Sequence, residues 1–330
     1  MEGIFSFFQF SKWSFYRYGI LISPIQWIYF ISTDPWWKWP NLAMVLLSNI
    51  SIFIVFIFEK LLSWKWLTNR CALILYATLF SLHIFIPAAV TWRLQGNPVY
   101  SVLALSVYVV LFLKLISYTH TNYWYRTAEG MNERRLHENL YYFVFAPTLC
   151  YESKFPRSRG RRKTFMLKRT AEVCFLFIGL TLIIIALCQQ WVAPLLRNSV
   201  EPFATMNLSL CIERVLKLAI PNHVIWLIFF YTIFHSLLNL IAEIMEFADR
   251  QFYLDFWNAE TLTVFWKTWN IPVHRWALRH IYRPMTSNGF SKMSAACAVF
   301  FVSAFFHEYL VSSKLFFAVF TFLQMKRLAY

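Results

Sequence analysis

Long apolar runs alternate with shorter polar segments along most of the chain. Each of these runs carries at most one Asp, Glu, Lys or Arg, and each approaches the roughly 20 residues that a helix needs to cross a bilayer. They are residues 41–58, 71–92, 99–117, 173–193, 222–242 and 293–311. The pattern predicts an all-α, polytopic membrane protein with about six transmembrane helices.

Two further apolar segments do not fit a simple span. Residues 18–33 are short and interrupted by Pro24, so we expect them to be interfacial or re-entrant. The tail at 315–323 is too short to cross a bilayer alone.

Basic residues set the expected orientation. Lys and Arg supply eight residues of the stretch 153–169, between the third and fourth spans, and no acid interrupts them. Cytosolic loops carry such an excess. Within one membrane domain, 1–330, we therefore expect a cytosolic basic loop at 118–172 and a cytosolic interfacial segment at 245–292.

The stretch 251–285 is too polar to cross a membrane and too aromatic for an open loop. Tryptophan and tyrosine suit the headgroup layer, because one end of the ring is wet and the other apolar. We therefore expect an amphipathic helix lying in the cytosolic interface, punctuated by Pro272 and Pro284.

Composition excludes several classes of protein. The chain is 59% hydrophobic and only 14% charged, whereas soluble domains carry about a quarter charged residues. The net charge of +15 lies mainly between apolar spans, which argues against nucleic-acid binding. The six cysteines are scattered with no CxxC pair, so neither a disulfide framework nor a zinc site is expected.

An ionisable pair, His307 and Glu308, lies inside the last span. One interpretation is a core histidine bonded to a neighbour, and we apply that interpretation to His83 and His235. The adjacent acid favours function for His307, because ionisable residues inside spans mark functional sites. A neutral imidazole is well suited to take a proton from a hydroxyl, with Ser303 on the same helix face.

Other chemistries lack support in the sequence. His307 and Glu308 are adjacent, so their side chains diverge by about 100° on a helix, and no HExxH motif is present. No GxSxG motif indicates a covalent intermediate. We therefore expect no metal and no cofactor, and a direct transfer.

Asn270 stands out as a polar residue on an aromatic background. Its side chain could hold a carbonyl or thioester oxygen, or merely cap the turn before Pro272. The nearby lysines and arginines could hold a phosphate-bearing donor, or simply meet anionic lipid. These alternatives stay open at this level.

Several segments resemble the membrane-bound O-acyltransferase family, and more narrowly its acyl-CoA:diacylglycerol acyltransferase type 1 branch. The resemblance rests on FYLDFWN at 252–258, WNIPVHRW at 269–276 and FFHEYLVS at 305–312, with further matches at 111–118, 141–158 and 220–231. It implies a multi-pass enzyme of the endoplasmic reticulum with helices around a membrane tunnel. Acyl-CoA would be the co-substrate, and diacylglycerol the lipid acceptor that yields triacylglycerol.

The resemblance also implies roles for individual residues. His307 corresponds to the catalytic histidine, Asn270 assists at the thioester, and Glu308 matches the acid that follows the histidine. The signature motif comprises Phe252, Tyr253, Asp255, Phe256, Trp257 and Asn258. The acyl-CoA-binding stretch comprises Trp266, Lys267, Thr268, Trp269, Ile271, Pro272, Val273, His274 and Tyr282.

The sequence departs from the family pattern in three ways. Phe256 replaces a usual tryptophan, and the N-terminal region and the spans beyond the histidine have no counterpart, so we expect a chain truncated at both ends. A homo-oligomer stays open, although the missing N-terminal region carries oligomer contacts in relatives. The alternatives are a sterol or wax-alcohol O-acyltransferase, or an inactive truncated isoform that acts as a membrane partner subunit.

Overall fold

Helices dominate the protein. The computed structural model describes residues 40–94, 98–127, 139–187 and 207–328, together with residues 195 and 198. No strand occurs within these ranges, so the all-α prediction is confirmed. The segment predicted to be interfacial or re-entrant, 18–33, lies outside them.

The described helices are either long and apolar or short, and most of the short ones lie between residues 238 and 287. A 3₁₀ turn spans Phe256–Asn258, and π-helical turns span Tyr231–Leu237 and Leu278–Tyr282. The α-helices are α1 (Pro40–Ser63), α2 (Asn69–Leu94), α3 (Pro98–Thr127), α4 (Leu140–Phe145), α5 (Lys163–Leu187), α6 (Leu208–Phe230), α7 (Leu238–Ile244), α8 (Leu262–Thr268), α9 (Ile271–Ala277), α10 (Arg283–Ser287) and α11 (Lys292–Leu328).

Five helical segments in the described ranges are long and apolar enough to cross a membrane. They are Asn41–Ser63, Asn69–Leu94, Tyr100–Thr127, Leu208–Ile244 and Lys292–Leu310. Each falls on a predicted span.

The remaining predicted span, 173–193, begins on α5, and residues 188–193 lie outside the described ranges. The tail at 315–323 is not a separate segment, because α11 continues unbroken to Leu328.

The chain divides into two compact units. One contains the described residues of Pro35–Arg157 and Gln251–Tyr330, and the other contains the described residues of Ser158–Arg250. Every residue singled out from the sequence for catalysis or acyl-CoA binding lies in the first unit.

In the first unit α1, α2 and α3 pack on one another. One core cluster joins α1 and α3 to the segment 140–151 through Val55, Leu115, Phe143 and Tyr151, all almost fully buried. Aromatic rings of this cluster meet edge to face, as between Tyr118 and Tyr151 with 4.8 Å between ring centroids.

A buried lysine ties α4 to α3. The ammonium of Lys114 donates to three main-chain carbonyl oxygens, those of Phe143 (2.8 Å), Val144 (2.9 Å) and Ala146 (2.6 Å). These carbonyls lie at and just after the C-terminal end of α4, where the helix leaves acceptors without intrahelical partners. Lys114 therefore satisfies all three of its N–H donors while it caps a neighbouring helix.

In the second unit α5 packs against α6, α7 and the π-helical turn between them. The buried carboxylate of Glu243 accepts from the guanidinium groups of Arg162 (3.0 Å) and Arg250 (2.5 Å). Arg162 belongs to the predicted basic loop, so at least this positive charge is engaged in an ion pair within the second unit.

The prediction of one amphipathic helix at 251–285 is wrong, because the segment forms several short helices. Thr261 caps α8 and Asn270 caps α9, and each cap residue has a non-helical backbone that interrupts the preceding helix. Pro272 lies in the first turn of α9, where a missing N–H costs nothing. Pro284 lies just after the π-helical turn Leu278–Tyr282, which joins α9 to α10 without a break.

Candidate functional site

Helix α11 presents two different faces. Val299, Phe306, Tyr309 and Leu310 pack into a core cluster. His307 lies about 100° around the helix from Phe306 and is exposed, and Glu308 beside it is exposed as well. The predicted base therefore points away from the packed core of its own unit.

The imidazole of His307 is held in one tautomer. Its Nδ1 lies 2.7 Å from the carbonyl oxygen of Ser303, one turn earlier on α11. A carbonyl oxygen can only accept a hydrogen bond, so Nδ1 must carry the proton. In the neutral ring the lone pair is then on Nε2, which is the atom that can act as a base.

Glu308 has no ion-pair partner in the part of the chain that the structure describes. Its carboxylate leaves the helix about 100° from His307, as the sequence predicted for adjacent helical residues. Its assignment as the acid that accompanies the histidine stays a prediction.

Asn270 is the N-cap of α9. Its side-chain oxygen accepts a hydrogen bond from the backbone N–H of Val273 at 3.3 Å, so the capping interpretation is confirmed. Because an N–H can bond only to the amide oxygen, this contact fixes the amide orientation and leaves the two N–H donors of Nδ2 for another acceptor. Capping and holding a thioester oxygen are thus compatible.

Backbone hydrogen bonds attach the signature motif to both sides of Asn270. Leu254 N–H donates to the carbonyl of Thr268 at 2.9 Å, and Ile271 N–H donates to the carbonyl of Phe252 at 3.1 Å. Phe252 is almost fully buried and anchors this arrangement. The motif therefore supports the loop that carries Asn270.

Aromatic contacts surround Phe256 at the centre of the motif. Its ring meets Trp257, Phe265 and Trp269 edge to face, with centroid distances of 5.2, 5.9 and 5.0 Å. Tyr253 contacts Trp257 at 6.4 Å. Phe256 thus fills an aromatic cluster at the position where the family usually has tryptophan, while Asp255, Trp257 and Asn258 are exposed.

The residues predicted to bind acyl-CoA divide into exposed and buried sets. The exposed set is Trp266, Lys267 and Val273; Ile271 is buried, and Thr268, Trp269, Pro272, His274 and Tyr282 are half-buried. Burial lowers the pKa of His274, and the nearby Lys267 lowers it further, so its ring is neutral at pH 7. The exposed lysine and tryptophan are the members of the stretch most open to a ligand.

Helix α11 and the Asn270 segment share one core. Trp276 of α9 lies in the same cluster as Phe306 and Tyr309, and its indole N–H donates to the carbonyl of Leu113 on α3 at 2.8 Å. Trp266 of α8 meets Phe300 of α11 edge to face at 5.9 Å. The structure therefore attaches the elements of both predicted catalytic residues to one another and to α3.

His280 lies in the interior of the first unit rather than at its surface. The residue is only 6% exposed, its Nε2 lies 2.8 Å from the hydroxyl of Ser117, and its ring stacks on Trp124. Burial first, and then His120 and the positive charge of Arg279, lower its pKa to about 3. The ring is therefore neutral and structural.

Sequence reasoning missed four residues that shape the site. They are Lys114, Trp276, His280 and Tyr309. Lys114 carried a signal, since a lone lysine inside a span marks a required partner. Trp276 and Tyr309 carried none, because their importance lies in carbonyl partners more than 160 residues away.

The buried histidine His83 behaves as predicted for a core residue. Its Nε2 bonds to the carbonyl of Tyr108 at 3.1 Å, and its Nδ1 lies 2.9 Å from the hydroxyl of Ser51. In the other unit, the half-buried ring of His235 stacks on Tyr231 at 4.7 Å. Neither ring resembles His307, which is exposed.

The model of the membrane-bound O-acyltransferase family matches residues 100–329. Diacylglycerol O-acyltransferase 1 of Bos taurus is 47% identical over 323 residues, covering 91% of this chain and 65% of the relative. The Homo sapiens protein of that name is 45% identical over 319 residues, covering 91% and 64%, and that of Corylus americana is 37% identical over 307 residues, covering 88% and 56%.

This chain therefore spans less than two thirds of the length of each of these relatives. The matches confirm the resemblance that the motifs indicated.

Proposed function

The chain belongs to the membrane-bound O-acyltransferase family, and we propose that it transfers an acyl group from acyl-CoA to the free hydroxyl of diacylglycerol, forming triacylglycerol. It is a multi-pass membrane protein, and we place it in the endoplasmic reticulum. The proposal takes its acceptor from the relatives at 45–47% identity, which are named for diacylglycerol. Homo-oligomerisation is an additional expectation.

The observation that carries the mechanism is the 2.7 Å contact between Nδ1 of His307 and the carbonyl oxygen of Ser303. With Nδ1–H bonded to Ser303, Nε2 is free to take the proton of the acceptor hydroxyl. The hydroxyl oxygen then forms a bond to the thioester carbonyl carbon, and the carbon–sulfur bond breaks. The proton passes from Nε2 to the leaving thiolate, so CoA departs as a thiol and the histidine is regenerated without a metal or cofactor.

Asn270 supplies the second part of the chemistry. Its oxygen is engaged by Val273 N–H, so Nδ2 can donate to the thioester carbonyl oxygen as negative charge develops there. Glu308 adds a negative charge near His307 while the imidazole carries the extra proton. Both roles rest on the family resemblance together with this local geometry.

The location of His307 suits lipid substrates. This residue is exposed on an apolar helix that is long enough to cross a membrane. The acyl chain and diacylglycerol are both lipids, whereas CoA carries phosphates. Lys267, Arg275 and Arg283 are exposed on the short helices, and they are suitable partners for those phosphates.

Acceptor identity and activity can be tested together. The 330-residue chain is expressed in membranes that lack endogenous triacylglycerol synthesis, and labelled oleoyl-CoA is supplied with diacylglycerol or with cholesterol. We expect label in triacylglycerol, and a loss of about 10²–10⁴-fold in the His307→Ala variant, the usual contribution of a general base.

Other outcomes point to the alternatives. Label in cholesteryl ester alone would assign a sterol acceptor. No product from a chain that is inserted at wild-type level would favour a non-catalytic partner subunit. Activity that persists in His307→Ala would remove the proposed base.

A further inference from the structure

One hydroxyl fixes α11 against the rest of its unit. The phenol of Tyr309 donates to the carbonyl oxygen of Ile84 on α2 at 2.8 Å. The other core contacts of α11 at this level, from Val299, Phe306 and Leu310, are apolar. Apolar contacts are less directional than a hydrogen bond, so the bond from Tyr309 adds a directional restraint on the rotation of α11 about its own axis.

The acceptor of this bond is itself held in place. Ile84 follows His83, whose ring bonds to the carbonyl of Tyr108 on α3 and to Ser51 on α1. Since Nε2 meets a carbonyl, it carries the proton, and Nδ1 accepts from the serine hydroxyl. Pro87 has no backbone N–H, so the carbonyl of His83, adjacent to Ile84, lacks its usual donor four residues later on α2.

We propose that Tyr309 is a positioning residue for acyl transfer, whose bond to Ile84 sets the rotation of α11 and so the direction of His307 Nε2. The proposal rests on the function proposed above. Residues 307 and 309 lie about 200° apart around the helix, so a bond on one side orients the group on the other. A rotation of about 15° would move an imidazole nitrogen about 7 Å from the axis by about 2 Å.

The test compares two matched hydroxyl deletions. Tyr309→Phe removes the bond to α2, and Tyr108→Phe removes an equally short bond, at 2.7 Å, to the carbonyl of Met44. The second bond joins α3 to α1, neither of which carries His307 or Asn270, and Tyr108→Phe keeps the main-chain carbonyl that holds His83. We expect kcat to fall about 10-fold in Tyr309→Phe with KM for oleoyl-CoA and diacylglycerol unchanged, because a misplaced base slows chemistry without weakening binding. In Tyr108→Phe we expect an unchanged kcat.

A second measurement does not depend on activity. Spin labels are placed at the exposed positions Leu73 and Phe301, on α2 and α11, after the native cysteines have been replaced. We expect the distance distribution to broaden in Tyr309→Phe and to stay narrow in Tyr108→Phe.

An unchanged kcat in Tyr309→Phe, an equal fall in both variants, or equal distance distributions would overturn the proposal. If the wild-type chain makes no product while the distributions differ as expected, the proposed function fails and the structural role of Tyr309 stands.

Discussion

His307 and Asn270 are held in place by different kinds of interaction. Asn270 is fixed locally, by a cap to Val273 three residues away and by backbone bonds that flank it. His307 has a local bond that selects its tautomer, but the helix that carries it is oriented by Tyr309 and its partner on α2. One half of the site is therefore encoded in a short segment, and the other depends on contacts 225 residues apart in the chain.

This difference separates two ways in which a substitution can damage the site. A local cap contributes about 1 kcal/mol, and its loss disturbs one short helix. A lost tertiary anchor acts through a whole helix, and it can move a reacting atom without unfolding anything. Variants that remove either a local interaction or a tertiary contact, and keep the other, distinguish these two kinds of damage.

The first prediction concerns the effect of Asn270 substitutions on activity. Asn270→Asp and Asn270→Ser both retain a good cap acceptor but remove the amide donor. We expect each to lower kcat about 10- to 100-fold, because a donor to the developing oxyanion is lost, and to leave thermal stability in detergent almost unchanged. Acyl transfer and thermal unfolding are measured on the same preparations.

Asn270→Ala serves as the control for the cap. It should lose activity to the same extent and also lose about 1 kcal/mol of stability. Full activity in Asn270→Ser would reduce Asn270 to a capping residue.

The second prediction concerns Trp276, which joins the Asn270 segment to α3. Trp276→Phe keeps an aromatic ring but loses the N–H bond to Leu113, so we expect a loss of about 1 kcal/mol. Trp276→Ala empties a buried site and should lose about 3–5 kcal/mol. Thermal unfolding in detergent gives both values. If alanine and phenylalanine had equal effects, the ring would not be part of the core.

The third prediction concerns the pH dependence that His280 confers. The unfolded imidazole has a pKa of 6.5 and the folded one about 3, because the ring is buried. Below pH 6.5 the unfolded chain takes up a proton that the folded ring does not, so stability is complete above pH 6.5 and falls as the pH drops towards 3. The slope is at most about 1.4 kcal/mol per pH unit.

His280→Phe keeps an aromatic ring and removes the titrating group. Between pH 7 and pH 5, we expect wild type to lose up to about 2 kcal/mol more stability than this variant. Equal losses in the two proteins would assign the acid sensitivity to other groups.

The long helices were predictable, because about 20 apolar residues in a row have few alternatives to a span. The ends of these helices were less predictable. The predicted third span stops at residue 117, whereas α3 continues to Thr127. A hydropathy scale scores polar residues as if they faced water, so the predicted span ended where such residues begin to recur. In the structure these residues are all buried, namely Ser117, Thr119, Thr121 and Asn122.

The candidate site was predictable in its residues and not in its arrangement. Asn270 before Pro272 is a local signal for a cap, and the structure has that cap. No local signal tells which face of α11 meets the core, since apolar residues occupy nearly every position around His307. That choice is made by partners on α2, α3 and α9.

Lys114 enters the membrane before its partners exist. The carbonyls that accept from its ammonium belong to residues 29, 30 and 32 positions later. At a synthesis rate of about 5–20 residues per second, this delay is about 2–6 s. A lysine at the centre of an inserting helix costs about 2.5–3.5 kcal/mol, so α3 bears that cost until the ribosome has delivered α4. The timing of translation thus determines when the ammonium of Lys114 in α3 obtains its hydrogen-bond acceptors.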